Sequence, residues 1–156
     1  MRTLAIDPGL ARIGWAVLEF DGNTLKLIEC GLVETPKGES LPTRLSLLSR
    51  KMGEIVERFK ADSVAVEELF FSTNAKTAID VAQARGVLLM VGNNAGLPVY
   101  EYTPNQVKQA VTSNARADKF QVGQMVKMLL CLPEVPKPDD VADACALGIC
   151  HCFSMR

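Results

Sequence analysis

The sequence predicts an α/β fold in which a mixed five-stranded sheet is flanked by helices, and three observations carry that prediction. Three strand-like runs open the chain and are joined by tight turns; two further strand-like runs alternate with helical patterns; and no repeat, low-complexity tract or boundary interrupts the 156 residues. That length suits one ordinary domain, so residues 1–156 are read as a single domain able to bury a core without disulfides or a structural metal.

Residues 3 to 8 are an apolar run ending in Asp7-Pro8-Gly9. Ile13 to Phe20 resumes with β-branched and aromatic residues until Asp21-Gly22-Asn23 marks a hairpin turn, and Leu25 to Thr35 reads as a third strand. After Pro36-Lys37-Gly38 the period becomes helical, with Leu41, Leu45, Leu48, Met52, Ile55, Val56 and Phe59 on one face. Ser63 to Glu68 fits a buried strand with acidic side chains at its carboxyl end, followed by a helix from about 74 to 94. Val99 to Tyr102 is the fifth strand, and Thr103-Pro104 starts a helix with a hydroxyl cap and proline at its first position. Helices then run through Val111 and from Asp118 to Leu130; Pro133, Pro136 and Pro138 form a stiff linker before a last helix from Asp139 to Phe153. This order resembles the ribonuclease H-like fold.

Composition excludes less than it first promises. Lys and Arg total 17 against 18 Asp and Glu, a net charge of -1 that lacks the basic excess of most nucleic-acid binders. Distribution matters more than the total, because an enzyme that gathers carboxylates around cations cancels basic residues elsewhere. The start of the chain has no signal-peptide core and no apolar run reaches the ~20 residues of a membrane span, so a soluble, cytoplasmic protein is expected. Cys30, Cys131, Cys145, Cys150 and Cys152 lie among apolar neighbours without a Cys-x-x-Cys pair and read as reduced thiols. The Cys150-His151-Cys152 triplet has no second ligand pair, and its side chains diverge on a helix, so it reads as core.

The chemistry lies in the acids. Asp7 ends an apolar strand, where a carboxylate is costly to desolvate unless a cation or donor compensates it. Glu67 and Glu68 end another; strand neighbours face opposite ways, so one of the two faces Asp7, and spacing does not say which. Asp140 and Asp143, three apart at the start of the last helix, project from one face. Each feature alone has a bland reading as turn, strand end or first helical turn. Together they are acids from distant segments in a fold that unites such ends, and a hard divalent cation such as Mg²⁺ is the natural compensation. Two such ions about 4 Å apart would support phosphodiester hydrolysis without a side-chain nucleophile. Lys108, Arg116, Lys119 and Lys127 supply a local basic face, and either Phe70 or Phe71 could stack on unpaired bases.

Read together, Ile6-Asp7-Pro8-Gly9 with Gly14, Val66 to Phe70, Gln83-Ala84-Arg85-Gly86-Val87, Tyr102 with Gln106 to Gln109, Lys119 with Gln121-Val122, and Asp140 to Ala144 resemble the RuvC family of Holliday-junction resolvases over essentially the whole chain. The resemblance implies a structure-specific endonuclease that resolves Holliday junctions by symmetric, metal-dependent hydrolysis during homologous recombination and DNA repair. It implies catalytic, metal-binding acids at Asp7, Glu67, Asp140 and Asp143, selecting Glu67 over Glu68, with two Mg²⁺ ions or Mn²⁺ in their place. It implies DNA contacts at Phe70, Lys108 and Lys119, and a branch-migration motor of the RuvA and RuvB type as partner. It also implies a homodimer packed through the helix after the acidic strand, giving Ala78, Val81, Ala82, Val87, Leu88 and Met90 a use beyond the core.

One departure stands out: where the family usually carries a glycine-containing loop, this chain has Thr112-Ser113-Asn114-Ala115-Arg116, in which neither Ser113 nor Ala115 takes positive φ as cheaply as glycine. Three rivals are weaker. A nuclease of the same fold that trims ribosomal RNA precursors would lack the aromatic after the acidic strand and the basic central segment. An actin-like ATPase, also compatible with Asp7-x-Gly9, needs a second lobe, and a catalytically dead junction scaffold does not need all four acids.

Overall fold

The structure, a computed structural model, describes residues 1–69 and 74–155. Its elements follow the order read from the sequence: β1 (Arg2–Asp7), β2 (Arg12–Phe20), β3 (Leu25–Glu34), α1 (Leu41–Phe59), β4 (Ser63–Glu67), α2 (Ala75–Asn94), β5 (Val99–Tyr102), α3 (Pro104–Thr112), α4 (Lys119–Leu129) and α5 (Asp139–Ser154). The strands form one sheet in the order β3-β2-β1-β4-β5. β1 to β3 are the antiparallel meander, β4 runs parallel to β1, and β5 parallel to β4.

Local chemistry accounts for the punctuation. Gly22 turns the β2–β3 hairpin at φ 100°, and the Asp21 carboxylate accepts from the backbone N–H groups of Asn23 and Thr24. Thr103 caps α3 and Asp118 caps α4, each completed by a glutamine three residues on that reaches back to the cap backbone.

Alternation along the strands splits the core in two. Leu4, Ile6, Val64 and Val66 face α1 and α2, while Ala5, Ala16, Leu18 and Ala65 face α3, α4 and α5. α5 lies close on the second face: a Cβ on Gly148 would sit 2.4 Å from Leu18 Cδ1. Near its far end His151 is fully buried, with Nε2 3.0 Å from Ser63 Oγ and Nδ1 2.8 Å from the Tyr102 hydroxyl. Burial lowers its pKa to about 4, which keeps it neutral. Cys150 and Cys152 are buried beside it, so the triplet is core, as its spacing implied.

The glycine-free loop is where expectation and structure part. Ser113 itself takes the left-handed conformation at φ 59° and ends α3. The turn is held by side chains: Thr112 Oγ1 lies 2.8 Å from the Lys108 carbonyl and accepts from the Asn114 N–H, and Asn114 Oδ1 accepts from the Arg116 N–H. Glycine is not required to form this turn, only to form it without steric cost. Ser113→Gly is therefore expected to stabilise the protein by about 0.5–1 kcal/mol and to raise Tm by roughly 2–4 °C, read by calorimetry; a lower Tm would show that the serine hydroxyl matters more than its backbone strain.

Candidate active site

β1 and β4 are paired in parallel with Ile6 opposite Val66, so Asp7 and Glu67 follow side by side on strands about 4.8 Å apart. Ile6 and Val66 face α1 and α2; Asp7 and Glu67 therefore face α5. Of the two glutamates that spacing left open, Glu67 shares a groove with Asp143, Lys108 and Lys119. Gly14 is the register partner of Asp7 in β2, and a Cβ there would lie 1.9 Å from the Asp140 carbonyl oxygen. Only glycine lets the first turn of α5 come so near, which places Asp140 and Asp143 over the ends of β1 and β4.

The cluster repels itself. The Asp7 pKa is pushed from 3.8 up to about 8, first by burial and then by Glu67, Asp143 and Asp140. Glu67 is pushed from 4.5 to about 7 by burial and Asp143, against the opposing pull of Lys119 and Lys108. Burial also raises Asp143, although Lys119 beside it works the other way. Among the described residues, no three His, Cys, Asp or Glu side chains form a ready-made metal cage. Asp140 and Asp143 instead turn to side-chain cations: Arg12 Nη2 lies 3.0 Å from Asp140 Oδ2, and Lys119 Nζ lies 3.6 Å from Asp143 Oδ2 and 3.7 Å from Asp139 Oδ2.

Glu67, Lys108, Lys119 and Asp143 line a groove of about 320 Å³ whose floor includes Val107, Val122 and Ala146. Both lysines singled out from the sequence thus reach the acids. Arg116 and Lys127 form no ion pair among the described residues. Phe70 and Phe71, the candidate wedges, lie outside the described residues. Two arginines had no assigned role before the structure. Arg12 stands beside Asp140, and Arg85 donates from Nε to the Glu67 carbonyl at 3.0 Å while its guanidinium pairs with Glu101. Arg85 therefore anchors the backbone that carries Glu67. Arg12 was legible only through its place in the turn between Asp7 and Gly14, which keeps it near the end of β1.

The helix face read for dimer packing needs correcting. Ala78 and Leu88 point into the chain's own core, 5% and 0% exposed. Val81 and Val87 are half-buried, while Ala82 and Met90 are exposed and join Ile79 and Gly86 in an outward stripe spaced three or four residues apart.

A mixed sheet in the order 3-2-1-4-5, with carboxylates at the ends of two adjacent parallel strands beneath a helix start, defines a ribonuclease H-like domain with an acidic site. The comparisons narrow the class. The family described as "Crossover junction endodeoxyribonuclease RuvC" matches residues 3–151. A crossover junction endodeoxyribonuclease RuvC from Rubrobacter xylanophilus is 51% identical over 153 residues, 98% of this chain and 86% of the relative. One from Finegoldia magna is 49% identical over 156 residues, 100% of this chain and 95% of the relative. The solved structure of Thermus thermophilus RuvC in complex with a Holliday junction substrate superposes with a TM-score of 0.95 at 36% identity, covering 100% of this chain and 95% of that one. The chain belongs to the RuvC family of crossover junction endodeoxyribonucleases.

The raised acids have a thermodynamic consequence. Between pH 3.8 and about 8 the folded protein retains an Asp7 proton that the unfolded chain releases, and between 4.5 and about 7 the same holds for Glu67. Stability is thus lost as pH rises through that window. In a chelator at pH 8, Asp7→Asn should melt roughly 5 °C or more above wild type, with the gap closing near pH 4. A wild type that melts higher at pH 8 would refute the assigned self-repulsion.

Proposed function

We propose that the chain resolves Holliday junctions as a homodimer, cutting two strands symmetrically by hydrolysis at a site of divalent cations held by Asp7, Glu67, Asp140 and Asp143. The convergence of these four acids carries the reading, in a chain whose relative is solved with a Holliday junction substrate. Family membership does not favour the alternative of ribosomal RNA trimming.

The donor set suits a hard cation: every ligand is a carboxylate oxygen, and Asp7 and Glu67 resist ionising until positive charge arrives. Mg²⁺ is the ion we assign, two per site, with Mn²⁺ able to substitute. Bound there, such ions supply Lewis-acid stabilisation of the scissile phosphate and acidify a water molecule. The chain does the rest. Asp7 and Glu67 would hold the ions once ionised, Arg85 holds the Glu67 backbone, and Gly14 sets the height of Asp140 above Asp7. Lys108 and Lys119 offset phosphate charge at the groove, while Val107, Val122 and Ala146 keep its floor dry.

The exposed stripe of Ile79, Ala82, Gly86 and Met90 supports the dimer, since apolar and small residues at helical spacing, with open space at Gly86, admit a close partner helix. Two-fold symmetry then matches two-fold cleavage. Phe70 is assigned to the opened junction on the family's pattern, and a motor of the RuvA and RuvB type is the partner that would move the branch point. No helix among the described residues is long and apolar enough to cross a membrane, and the cytoplasm is the compartment we assign to the working enzyme.

On a synthetic mobile four-way junction with Mg²⁺, wild type should give paired, ligatable nicks. Asp7→Asn should bind the junction yet cut it roughly a hundredfold more slowly or worse; equal cutting by both proteins would sink the assignment. Replacing Lys108 or Lys119 by Gln should each lower the slope of log affinity against log salt by about one, as expected for a phosphate contact, and an unchanged slope would remove that role.

A further inference from the structure

Beside the acids, on the side away from Lys108, lies a second and shallower depression of about 690 Å³ lined by Arg12, Lys119, Lys137, Pro138, Asp139 and Asp140. Nothing in the reaction described above uses Arg12 or Lys137. We propose that this depression carries the cleaved strand past the site, with Arg12 exchanging the Asp140 carboxylate for a backbone phosphate next to the scissile one.

The proposal rests on the nuclease reading and on four features of the surface. First, the depression is a charged surface whose balance shifts. Three cations face two acids, and when a divalent cation takes Asp140 the three are left with Asp139 alone. Second, the Arg12–Asp140 pair is suited to exchange: its side chains are 48% and 33% exposed, and ion pairs this open to solvent add little stability, so releasing the arginine is cheap. A phosphate, by contrast, accepts two parallel N–H donors from a guanidinium.

Third, the two depressions adjoin at one residue. Lys119 lines both, so phosphates seated at Lys108, over the acids, and at Arg12 and Lys137 would follow one strand across the site. Fourth, Arg12 is held at the right place by covalent geometry. It opens β2 two residues before Gly14, the register partner of Asp7, so it stays at the acidic end of the sheet whichever group it touches. Arg12 thus has two partners in turn: it neutralises Asp140 before loading, and it grips DNA after. In this scheme it is a positioning residue for the substrate, and it also competes with the metal for Asp140.

A purely structural clip between β2 and α5 would predict something different, and two measurements separate them. Junction affinity is measured against salt with Ca²⁺ in place of Mg²⁺, so that the complex is held without rapid cutting. Arg12→Gln and Lys137→Gln should each reduce the salt slope by about one, the double variant by about two, and Arg12→Lys should keep the wild-type slope. Calorimetric titration of the DNA-free protein with Mn²⁺ should show Arg12→Gln binding a few-fold more tightly than wild type, because Asp140 no longer has a competing cation. Wild-type slopes in both single variants would overturn the proposal, as would Mn²⁺ affinity that falls in Arg12→Gln. If wild type itself failed to bind the junction, the nuclease reading would fall first and this proposal with it, a result distinct from normal wild-type binding with unaltered variants.

Discussion

Four carboxylates brought to one end of a sheet repel one another, and much of this molecule is arranged around containing that repulsion. The register of β1 against β4 sets Asp7 beside Glu67, and the bare Cα of Gly14 lets α5 descend onto them. The excess negative charge is taken up in two ways. Asp7 and Glu67, the more enclosed pair, hold protons up to neutral pH, whereas Asp140 and Asp143 draw on Arg12 and Lys119. Under the proposed metal binding, divalent cations would replace protons on one pair and side-chain cations on the other. That replacement would cost little, because each present partner is either a proton or a solvent-exposed side chain.

Placing two of those acids demands a rigid α5. Its inner face is small, with Ala144 and Gly148 against Ala5 and Leu18, so the helix axis lies close to the sheet. Its far end is tied by His151, whose two ring nitrogens meet Ser63 and Tyr102 on β4 and β5. This contact and the acidic site pull in opposite directions with pH. His151, lowered from 6.5 to about 4, contributes stability that is fully present above 6.5 and lost as pH falls toward 4. The acids at the other end lose theirs as pH rises. The same helix is thus secured by a neutral imidazole at one end and carries the charge problem at the other.

How much of this could be read from the sequence depends on whether the signal was local. Turns and caps were readable because their chemistry lies within four residues: Asp21-Gly22-Asn23, Thr103-Pro104 and Asp118 all do what their types dictate. The acids were readable as anomalies in apolar strands. The choice of Glu67 over Glu68 needed the groove it shares with Asp143, Lys108 and Lys119, a relation between distant segments. Arg85 lies in a segment that carries the family resemblance, but its role was not readable because it acts on a backbone carbonyl, which no side-chain pattern reveals. That Ala78 and Leu88, expected to serve a dimer, are buried in the chain's own core was hidden for a different reason. That helix is apolar or small on most of its circumference, so periodicity does not say which stripe the sheet claims. Ser113 shows a further limit, since side-chain hydrogen bonds from Thr112 and Asn114 support a left-handed residue that composition alone argues against.

The neutral total charge, which at first speaks against DNA, follows from the same constraint. A net charge of -1 includes the carboxylates that are to be cancelled, and two divalent ions would bring the chain to about +3. The gain would also be local: Lys119 and Arg12 are paired with Asp143 and Asp140, and under the proposal they would be freed for phosphate when those acids take other partners. On the proposed reading, metal would take the carboxylates and DNA the cations now paired with them, so each ligand would strengthen the other by the same factor. Such a design would leave the site weakly attractive to DNA until it is loaded, which a permanently basic surface would not achieve.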